Sequence, residues 1–462
     1  MKRLVAFCTG ILSYLTLSAQ VPVLTVEGGE VSGVPSETPD VCIYKGIPYA
    51  APPVGDLRWK HPQPVQPWKG VRPCDTFGAA SLQGDQTPGS FYWKEFHQDG
   101  DPKRSEDCLY LNVWTPAAGK PEAKLPVIFW IHGGAYMGGY GHEIEFGGDA
   151  YAKKGVILVT INYRLGMCGF LAHPLLTAEN NSKGSGNYGL FDQLAALKWV
   201  KRNISAFGGN PDNITIMGQS AGAGSVQALI SSPLTKGLIH RAIIQSGGGL
   251  GGIISAKSLK EAEKQGSDMW KAAGISTLEE MRAYPAEKFQ EVLMKYMQQQ
   301  KSFGLPYSPC VDGELLTAPL DETARNGQEL DIPYLIGYTS EDMMPEVMKK
   351  AATDWSLLLE QQGRKPAYVY CFSRDLPGED MPSSQGAFGD MKGAFHSSEL
   401  WYTFGTLGKC WRPMEKADYE LSERMVSYWT NFAKTGNPNG EGLPQWEPCT
   451  KDNPHVQTLD AM

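Results

Sequence analysis

The chain has 462 residues, with 42 Lys plus Arg and 50 Asp plus Glu, so its formal net charge is −8. This mildly acidic balance argues against a nucleic-acid-binding protein, because such proteins need a basic face. A hydrophobic share of 42% is typical of a globular protein with a large core. After the N-terminus no apolar run of about 20 residues occurs, so the sequence predicts no membrane span.

The first nineteen residues have the pattern of an export signal. Lys2 and Arg3 form a positive start, residues 4–17 are mostly apolar, and Ser18 and Ala19 are small residues before a cleavage point. We therefore expect a signal peptide over residues 1–19 and a secreted or periplasmic protein. Residues 20–462 are expected to form the mature domain.

Apolar strands alternate with helical segments through the middle of the chain. Continuous apolar runs predict strands at Val127–Ile131, Val156–Ile161, Ile214–Met217, Ala242–Gln245, Leu335–Tyr338 and Tyr368–Phe372. Helical spacing and stop signals predict helices at Leu190–Phe207, Ala221–Ile230, Glu399–Leu407 and Glu415–Thr430. This alternation indicates an α/β fold, with a central, mostly parallel sheet and helices on both faces. The charged, helical stretch at about 253–305 is predicted to be a lid-like insertion over that sheet.

A G-x-S-x-G pattern lies between a predicted strand and a predicted helix. Gly218 and Gly222 flank Ser220 in this pattern. A sharp strand-to-helix turn presents the serine hydroxyl at the sheet edge, and glycines are needed because side chains there would clash. Ser220 is therefore the predicted nucleophile.

A second glycine-rich loop follows the strand Val127–Ile131. The segment 132–135, His-Gly-Gly-Ala, resembles the loop that supplies oxyanion-hole donors in esterases. Its small residues let backbone N–H groups approach a developing oxyanion. We expect the N–H groups of Gly134, Ala135 and Ala221 to form the oxyanion hole, and His132 to be structural.

The base and the acid follow from chain order, since in this fold the order is Ser, acid, His. His396 lies in a glycine-containing loop before a predicted helix, whereas His455 lies in a polar tail. His396 is therefore the predicted base. The acid should follow the strand Leu335–Tyr338. Glu341 and Asp342 are adjacent there, and both are candidates for the acid.

These residues, in this order, resemble the type-B carboxylesterases, the family that includes the cholinesterases. The resemblance covers most of the chain. It rests on the motifs at 45–50 (KGIPYA), 52–55 (PPVG), 57–58 (LR), 105–113 (SEDCLYLNV), 162–164 (NYR), 208–211 (GGNP) and 218–223 (GQSAGA). It implies an α/β-hydrolase fold with a reduced helical lid, and a serine carboxylesterase that works through an acyl-enzyme.

The resemblance also implies roles for particular residues. The family spacing selects Asp342 as the acid, although the family prefers Glu, which keeps Glu341 as the alternative. Cys74 and Cys108 are expected to form a disulfide. Arg58 with Glu106, and Arg164 with Asp192, are expected to be structural ion pairs.

No metal or cofactor is predicted, because the sequence has no H-E-x-x-H helix and no C-x-x-C zinc spacing. The expected partner is a small-molecule ester, with no nucleic acid, and the sequence specifies no oligomeric state. A non-catalytic binding protein on the same fold is disfavoured because the serine, the histidine and the oxyanion loop all remain. Acyl transfer on amides or thioesters stays open. The aromatic residues at 91–96 either line a pocket or pack the loop.

Overall fold

The computed structural model describes residues 21–86, 88–181, 183–299, 305–379 and 393–461, so the expected signal peptide lies outside the described residues. The strands are β1 Val23–Val26, β2 Gly29–Ser32, β3 Val34–Pro35, β4 Cys42–Pro48, β5 Val71–Pro73, β6 Tyr110–Thr115, β7 Leu125–Ile131, β8 Ile157–Ile161, β9 Gly209–Gln219, β10 Arg241–Gln245, β11 Lys257–Ser258, β12 Cys310–Val311, β13 Tyr334–Thr339, β14 Tyr368–Phe372 and β15 Gln457–Leu459. The α-helices are α1 Phe91–Phe96, α2 Asp149–Lys153, α3 Gly166–Phe170, α4 Pro174–Glu179, α5 Tyr188–Asn203, α6 Ala221–Ile230, α7 Leu259–Ala272, α8 Leu278–Ala283, α9 Phe289–Gln299, α10 Leu320–Arg325, α11 Pro345–Gln361, α12 Leu400–Phe404 and α13 Lys416–Thr435.

Ten strands form one sheet, in the order β15-β14-β13-β10-β9-β7-β8-β6-β4-β3. The pairs from β15 to β8 are parallel, and β6, β4 and β3 complete one side with antiparallel pairs. The prediction of a mostly parallel sheet is therefore confirmed. Because the carboxyl ends of parallel strands meet at one edge, loops after β7, β9, β13 and β14 are brought together there.

Both faces of the sheet are covered, and strand β7 illustrates how. Val127, Phe129 and Ile131 belong to one buried cluster, whereas Ile128 and Trp130 belong to a second cluster. Successive side chains of a strand point to opposite faces, so a fully apolar strand contributes side chains to two hydrophobic cores. Helices α5, α6 and α11 contribute to the first cluster, and α12 and α13 contribute to the second.

Several predicted boundaries differ from the structure by a few residues, and two of these differences have clear local reasons. Strand β9 begins at Gly209, five residues before the predicted start, because Gly209 pairs with Leu125 of β7 and the register then shifts to the pair of Val127 with Ile214. Helix α12 ends at Phe404 rather than at Leu407, since Gly405 adopts a left-handed conformation with φ of 66°.

The stretch predicted as a helical insertion contains α7, α8 and α9, together with the short strand β11 that pairs with β12. Arg58 connects this stretch to the N-terminal segment. Its Nη1 donates to the carbonyl oxygens of Arg282 at 2.8 Å and Tyr284 at 2.7 Å. Its remaining guanidinium nitrogens bond both carboxylate oxygens of Glu106 at 2.7 Å, so the expected ion pair is present.

The second expected ion pair, between Arg164 and Asp192, lies in the core at 2.7 Å with both side chains almost fully buried. Asp192 also accepts from the backbone N–H of Arg164 at 3.0 Å, so its charge is well satisfied. Within the described ranges, no helix is both long enough and apolar enough to cross a membrane.

Candidate active site

Ser220 lies in the turn between β9 and α6, at the carboxyl edge of the sheet. Its backbone has φ of 56° and ψ of −124°, an unusual conformation for a residue other than glycine. A Cβ at Gly218 would lie 2.4 Å from the carbonyl oxygen of Gly222, and one at Gly222 would lie 2.1 Å from that of Ile131. The two glycines are therefore required for this tight turn.

The loop after β7 and the start of α6 bring backbone N–H groups to the cavity that contains Ser220. Gly134 and Ala135 have positive φ values of 99° and 54°, so the loop after β7 turns sharply beside the serine. Ala221 is the first residue of α6. Among the described residues, the N–H groups of Gly134, Ala135 and Ala221 have no protein acceptor, and all three residues line the cavity that contains Ser220.

His396 and Asp342 form a buried, directly bonded pair. The Nδ1 atom of His396 lies 2.7 Å from Oδ1 of Asp342, and the two side chains are 5% and 0% exposed. The second oxygen of Asp342 accepts from the hydroxyl of Thr339 at 3.1 Å, which helps to orient the carboxylate. Glu341 instead accepts from the backbone N–H of Ala394 at 3.0 Å and so holds the loop that carries the histidine.

Asp342 and His396 shift each other's pKa towards the charged form. Burial alone would raise the pKa of Asp342, but the adjacent His396 holds that pKa below its ordinary value. Burial alone would lower the pKa of His396, but the carboxylate of Asp342 outweighs it and raises that pKa. The geometry favours a proton on Nδ1, which leaves Nε2 as the acceptor on the side of the cavity.

The nitrogen that faces the cavity contacts a residue that the sequence analysis did not single out. Nε2 of His396 lies 3.3 Å from the side-chain amide nitrogen of Gln219, the residue before Ser220. Gln219, Ser220 and His396 line the same cavity, which has a volume of about 390 Å³. In this structure the amide therefore bonds the nitrogen through which the histidine would act on the serine.

A further carboxyl group lies behind the pair and was also missed. Glu399 is completely buried, and neither of its oxygens has a hydrogen-bond partner among the described residues. Burial, reinforced by the charge of Asp342, raises the pKa of Glu399 to about 8. The sequence offered no signal, because a glutamate just before a helix is ordinarily exposed.

His132 is placed away from the chemistry. It is buried, its ring stacks on Tyr163 with centroids 4.4 Å apart, and Nδ1 lies 2.9 Å from the carbonyl oxygen of Gly133. Burial lowers the pKa of His132 to about 4, so it stays neutral. It does not line the cavity in the described part of the chain.

The aromatic residues at 91–96 have two different roles. Tyr92 and Phe96 line the cavity, whereas Phe91 packs on Phe395.

The expected disulfide between Cys74 and Cys108 is absent from the structure, where both residues are buried free thiols. The backbone of Cys74 is fixed by bonds to Ser32 and Lys45 at 2.7 and 2.8 Å. The thiol of Cys108 lies instead within reach of the hydroxyl of Ser81. The side-chain hydrogen bond of Cys108 is thus made with a serine and not with Cys74.

Comparison with known proteins agrees with this geometry. The model of the carboxylesterase family matches residues 20–354 and 342–461, which together span almost the whole chain. The chain belongs to the carboxylesterase family. This esterase is 33% identical to the para-nitrobenzyl esterase of Bacillus subtilis over 485 residues, which cover 95% of each chain. It is also 33% identical to the fumonisin B1 esterase of Sphingopyxis macrogoltabida, over 91% of this chain and 83% of the relative.

Solved structures give the same result. A thermophilic para-nitrobenzyl esterase superposes with a TM-score of 0.80 at 30% identity and covers 96% of both chains. A carboxylesterase of Geobacillus stearothermophilus superposes with a TM-score of 0.75 at 31% identity, over 95% of this chain and 96% of that one. The predicted α/β-hydrolase fold and the predicted family are therefore confirmed. The protein is a serine hydrolase that acts on carboxylic ester bonds.

Proposed function

We propose that Ser220, His396 and Asp342 are the catalytic triad of this esterase, and that Gly134, Ala135 and Ala221 supply its oxyanion hole. The proposal rests on one observation: a strained serine, a histidine bonded to a buried carboxylate and free N–H donors all meet at one cavity. Glu341, the alternative acid, is already engaged with the backbone of Ala394.

The first half of the reaction forms an acyl-enzyme. The amide of Gln219 releases Nε2 of His396, which then accepts the proton of the Ser220 hydroxyl as its oxygen attacks the ester carbonyl. The negative charge that develops on the carbonyl oxygen is received by the free N–H groups. His396 then donates its proton to the alcohol oxygen as the carbon–oxygen bond breaks.

The second half repeats the same steps with water. His396 accepts a proton from water, which attacks the acyl carbon, and the Ser220 oxygen leaves with the proton. Asp342 stabilises the imidazolium in both halves and keeps the proton of the neutral imidazole on Nδ1. The products are a carboxylic acid and an alcohol.

Replacing the nucleophile tests the assignment. Ser220→Ala should lower kcat on p-nitrophenyl acetate by about a million-fold, because no other group can form the acyl-enzyme. Ser427→Ala, on the surface of α13, is the matched control. Equal Tm values for the two variants show that both are folded, and a purified, folded Ser220→Ala enzyme with one hundredth of the normal kcat contradicts the assignment.

We further propose that the chain is exported and that residues 253–305 act as a lid. The N-terminal pattern of Lys2 and Arg3 followed by apolar residues supports export. N-terminal sequencing of protein from the periplasm or the medium should begin at Gln20, and an intact N-terminus in the cytoplasm contradicts export.

Deleting α8 and α9 tests the proposed lid. If the stretch is a lid, the deletion should alter the selectivity of the enzyme among ester chain lengths.

A further inference from the structure

A glutamine side chain holds the loop that carries two of the proposed oxyanion donors. Gln83, in the segment before α1, bonds both backbone groups of Gly139. Its Nε2 donates to the carbonyl oxygen of Gly139 at 3.0 Å, and its Oε1 accepts from the N–H of Gly139 at 2.8 Å. Its Nε2 also donates to the carbonyl oxygen of Ser81 at 3.1 Å. The amide therefore has one defined orientation, because turning it over would place its NH₂ group against the N–H of Gly139.

Residues 137–139, here called the return arm, fold back against Gly134. The carbonyl oxygen of Gly134 accepts from the N–H groups of Met137 at 2.9 Å and Gly138 at 3.0 Å. A Cβ at Gly134 would lie 2.1 Å from the carbonyl oxygen of Gly138, so the two backbone segments are in direct contact. In the described part of the chain, Gln83 is the only side chain that bonds the return arm. The amide of Gln83 therefore fixes the arm that packs on Gly134.

One peptide group transmits this contact to the donor at Ala135. The peptide group between Gly134 and Ala135 is planar and trans, so its C=O and its N–H point in nearly opposite directions. Because the C=O bonds the return arm, the N–H of Ala135 is directed away from that arm, and Ala135 lines the cavity with Ser220. A hydrogen-bonded carbonyl also polarises its amide, which strengthens the N–H as a donor. The position of the return arm therefore sets the direction of a proposed oxyanion donor.

Gln83 acts on this donor from outside the substrate site. Among the described residues that line the cavity, Gln83 is absent, although its neighbour Gly84 is present. The tip of the loop has a separate attachment, since the N–H of Gly166 donates to the carbonyl oxygen of Tyr136 at 2.7 Å. Loss of the Gln83 amide should therefore loosen the return arm without detaching the whole loop from the protein.

We propose that Gln83 is a positioning residue for the oxyanion hole, and that it aligns the N–H of Ala135 with the developing oxyanion by holding the return arm. The inference rests on the proposed catalytic function. Loss of one oxyanion donor costs about 100- to 1,000-fold in rate, and a misplacement of about 1 Å costs on the order of 100-fold. The two bonds of Gln83 to Gly139 should therefore be visible in the kinetics.

Gln83→Met removes both bonds to Gly139 and keeps a side chain of similar length. It should lower kcat on p-nitrophenyl acetate by at least about tenfold, because the oxyanion forms in both acylation and deacylation. KM should stay within about threefold of the wild-type value, since the interaction is made in the transition state. Gln362→Met is the matched control. Gln362 is also half-buried and donates to a backbone carbonyl, that of Ala324 at 2.8 Å, but it does not line the cavity in the described ranges.

A pair of ketones separates an effect on the oxyanion from a general change in the site. With 1,1,1-trifluoro-2-octanone, Oγ of Ser220 bonds the carbonyl carbon, the serine proton passes to His396, and the carbonyl oxygen becomes an oxyanion. The unactivated 2-octanone has the same chain and binds without this bond. The measured quantity is the ratio of the inhibition constant of 2-octanone to that of the trifluoroketone. This ratio should fall by at least about tenfold in Gln83→Met, in parallel with kcat/KM, and stay unchanged in Gln362→Met.

Each result supports or overturns the proposal. An unchanged ratio in a folded Gln83→Met enzyme overturns it, and a wild-type preference for the trifluoroketone then leaves the proposed catalytic function standing. Equal weakening of both ketones also overturns it, because Gln83 would then only maintain the shape of the cavity. If the wild-type enzyme binds both ketones equally, the proposed catalytic function fails and this inference fails with it.

A second variant decides if Gln83→Met does not fold. Gln83→Glu keeps an oxygen that accepts from the N–H of Gly139 but brings a carboxylate oxygen against the carbonyl oxygen of Gly139, where the amide donated. The ketone ratio should again fall by at least about tenfold at pH 7. A ratio equal to that of the wild-type enzyme overturns the proposal.

Discussion

The side-chain amide nitrogen of Gln219 lies 3.3 Å from Nε2 of His396, the imidazole nitrogen opposite the one that bonds Asp342. An amide N–H in this position donates to the neutral imidazole and favours it over the imidazolium. The residue before the nucleophile therefore takes part in setting the proton affinity of the predicted base.

Changing this amide to a carboxylate should shift the pH dependence of the enzyme. Gln219→Glu places a negative charge beside Nε2, which stabilises the imidazolium and raises the pKa of His396 further. The acid limb of kcat/KM on p-nitrophenyl acetate should move to higher pH by about one unit. Gln219→Met removes the donor without adding a charge, so it should raise the midpoint by less than Gln219→Glu does. A profile of the Glu variant that coincides with wild type, or moves to lower pH, contradicts this role.

The two adjacent carboxylates after β13 should differ greatly in importance. Asp342→Asn removes the charge that stabilises the imidazolium and should lower kcat by roughly 10,000-fold. Glu341→Gln keeps a carbonyl oxygen that can still accept from Ala394 and should change kcat by less than about tenfold. Both are measured on one activated ester. If kcat falls severely in Glu341→Gln and stays normal in Asp342→Asn, the acid is Glu341 instead.

Buried Glu399 should make the stability of the fold depend on pH. Its folded pKa of about 8 exceeds the ordinary value of 4.5, so the neutral form is stabilising below the ordinary value. That contribution is lost progressively as the pH rises towards 8. Glu399→Gln has no proton to lose, so its Tm should rise relative to wild type by roughly 1 to 2 °C per pH unit between pH 5 and pH 8.

Thermal unfolding of Glu399→Gln beside Glu441→Gln checks this expectation. Only the buried substitution should show a pH-dependent difference from wild type, because the exposed glutamate has the same environment before and after unfolding. A constant difference in Tm across the range would mean that Glu399 is already ionised in the folded protein at pH 5.

The cysteines provide a prediction that needs no substitution. Because Cys74 and Cys108 are both free thiols in the structure and Cys108 bonds Ser81, both should be recovered as alkylated thiols after denaturation without reductant. Peptide mapping by mass spectrometry measures this directly. Recovery of a peptide in which Cys74 is crosslinked to Cys108 would contradict the structure and restore the pairing expected from the sequence.

The features that the sequence predicts best are those that depend on one local pattern. The strand Val127–Ile131 is apolar throughout because both of its faces are buried, and the turn around Ser220 requires its glycines. The environment of Glu399 could not be predicted in this way. It depends on which distant segments close over it, and an acidic residue beside a loop has the same local pattern whether it is buried or exposed.

The predicted disulfide is absent for a different reason. Cys74 and Cys108 were paired through a family resemblance, but two cysteines at suitable positions say nothing about the geometry between their sulfur atoms. In the fold, Cys74 follows the short strand β5, both cysteines are free thiols, and Cys108 bonds Ser81.

The bonds of Arg58 have a consequence for how the chain is made. Its carbonyl acceptors in Arg282 and Tyr284 follow it by 224 and 226 residues. At a synthesis rate of about 5 to 20 residues per second, Arg58 is synthesised roughly 10 to 45 seconds before those acceptors exist. During that time Glu106 is the carboxylate that can neutralise this guanidinium. The segment therefore reaches its final position only when the helices of the 253–305 stretch have been synthesised and have docked on it.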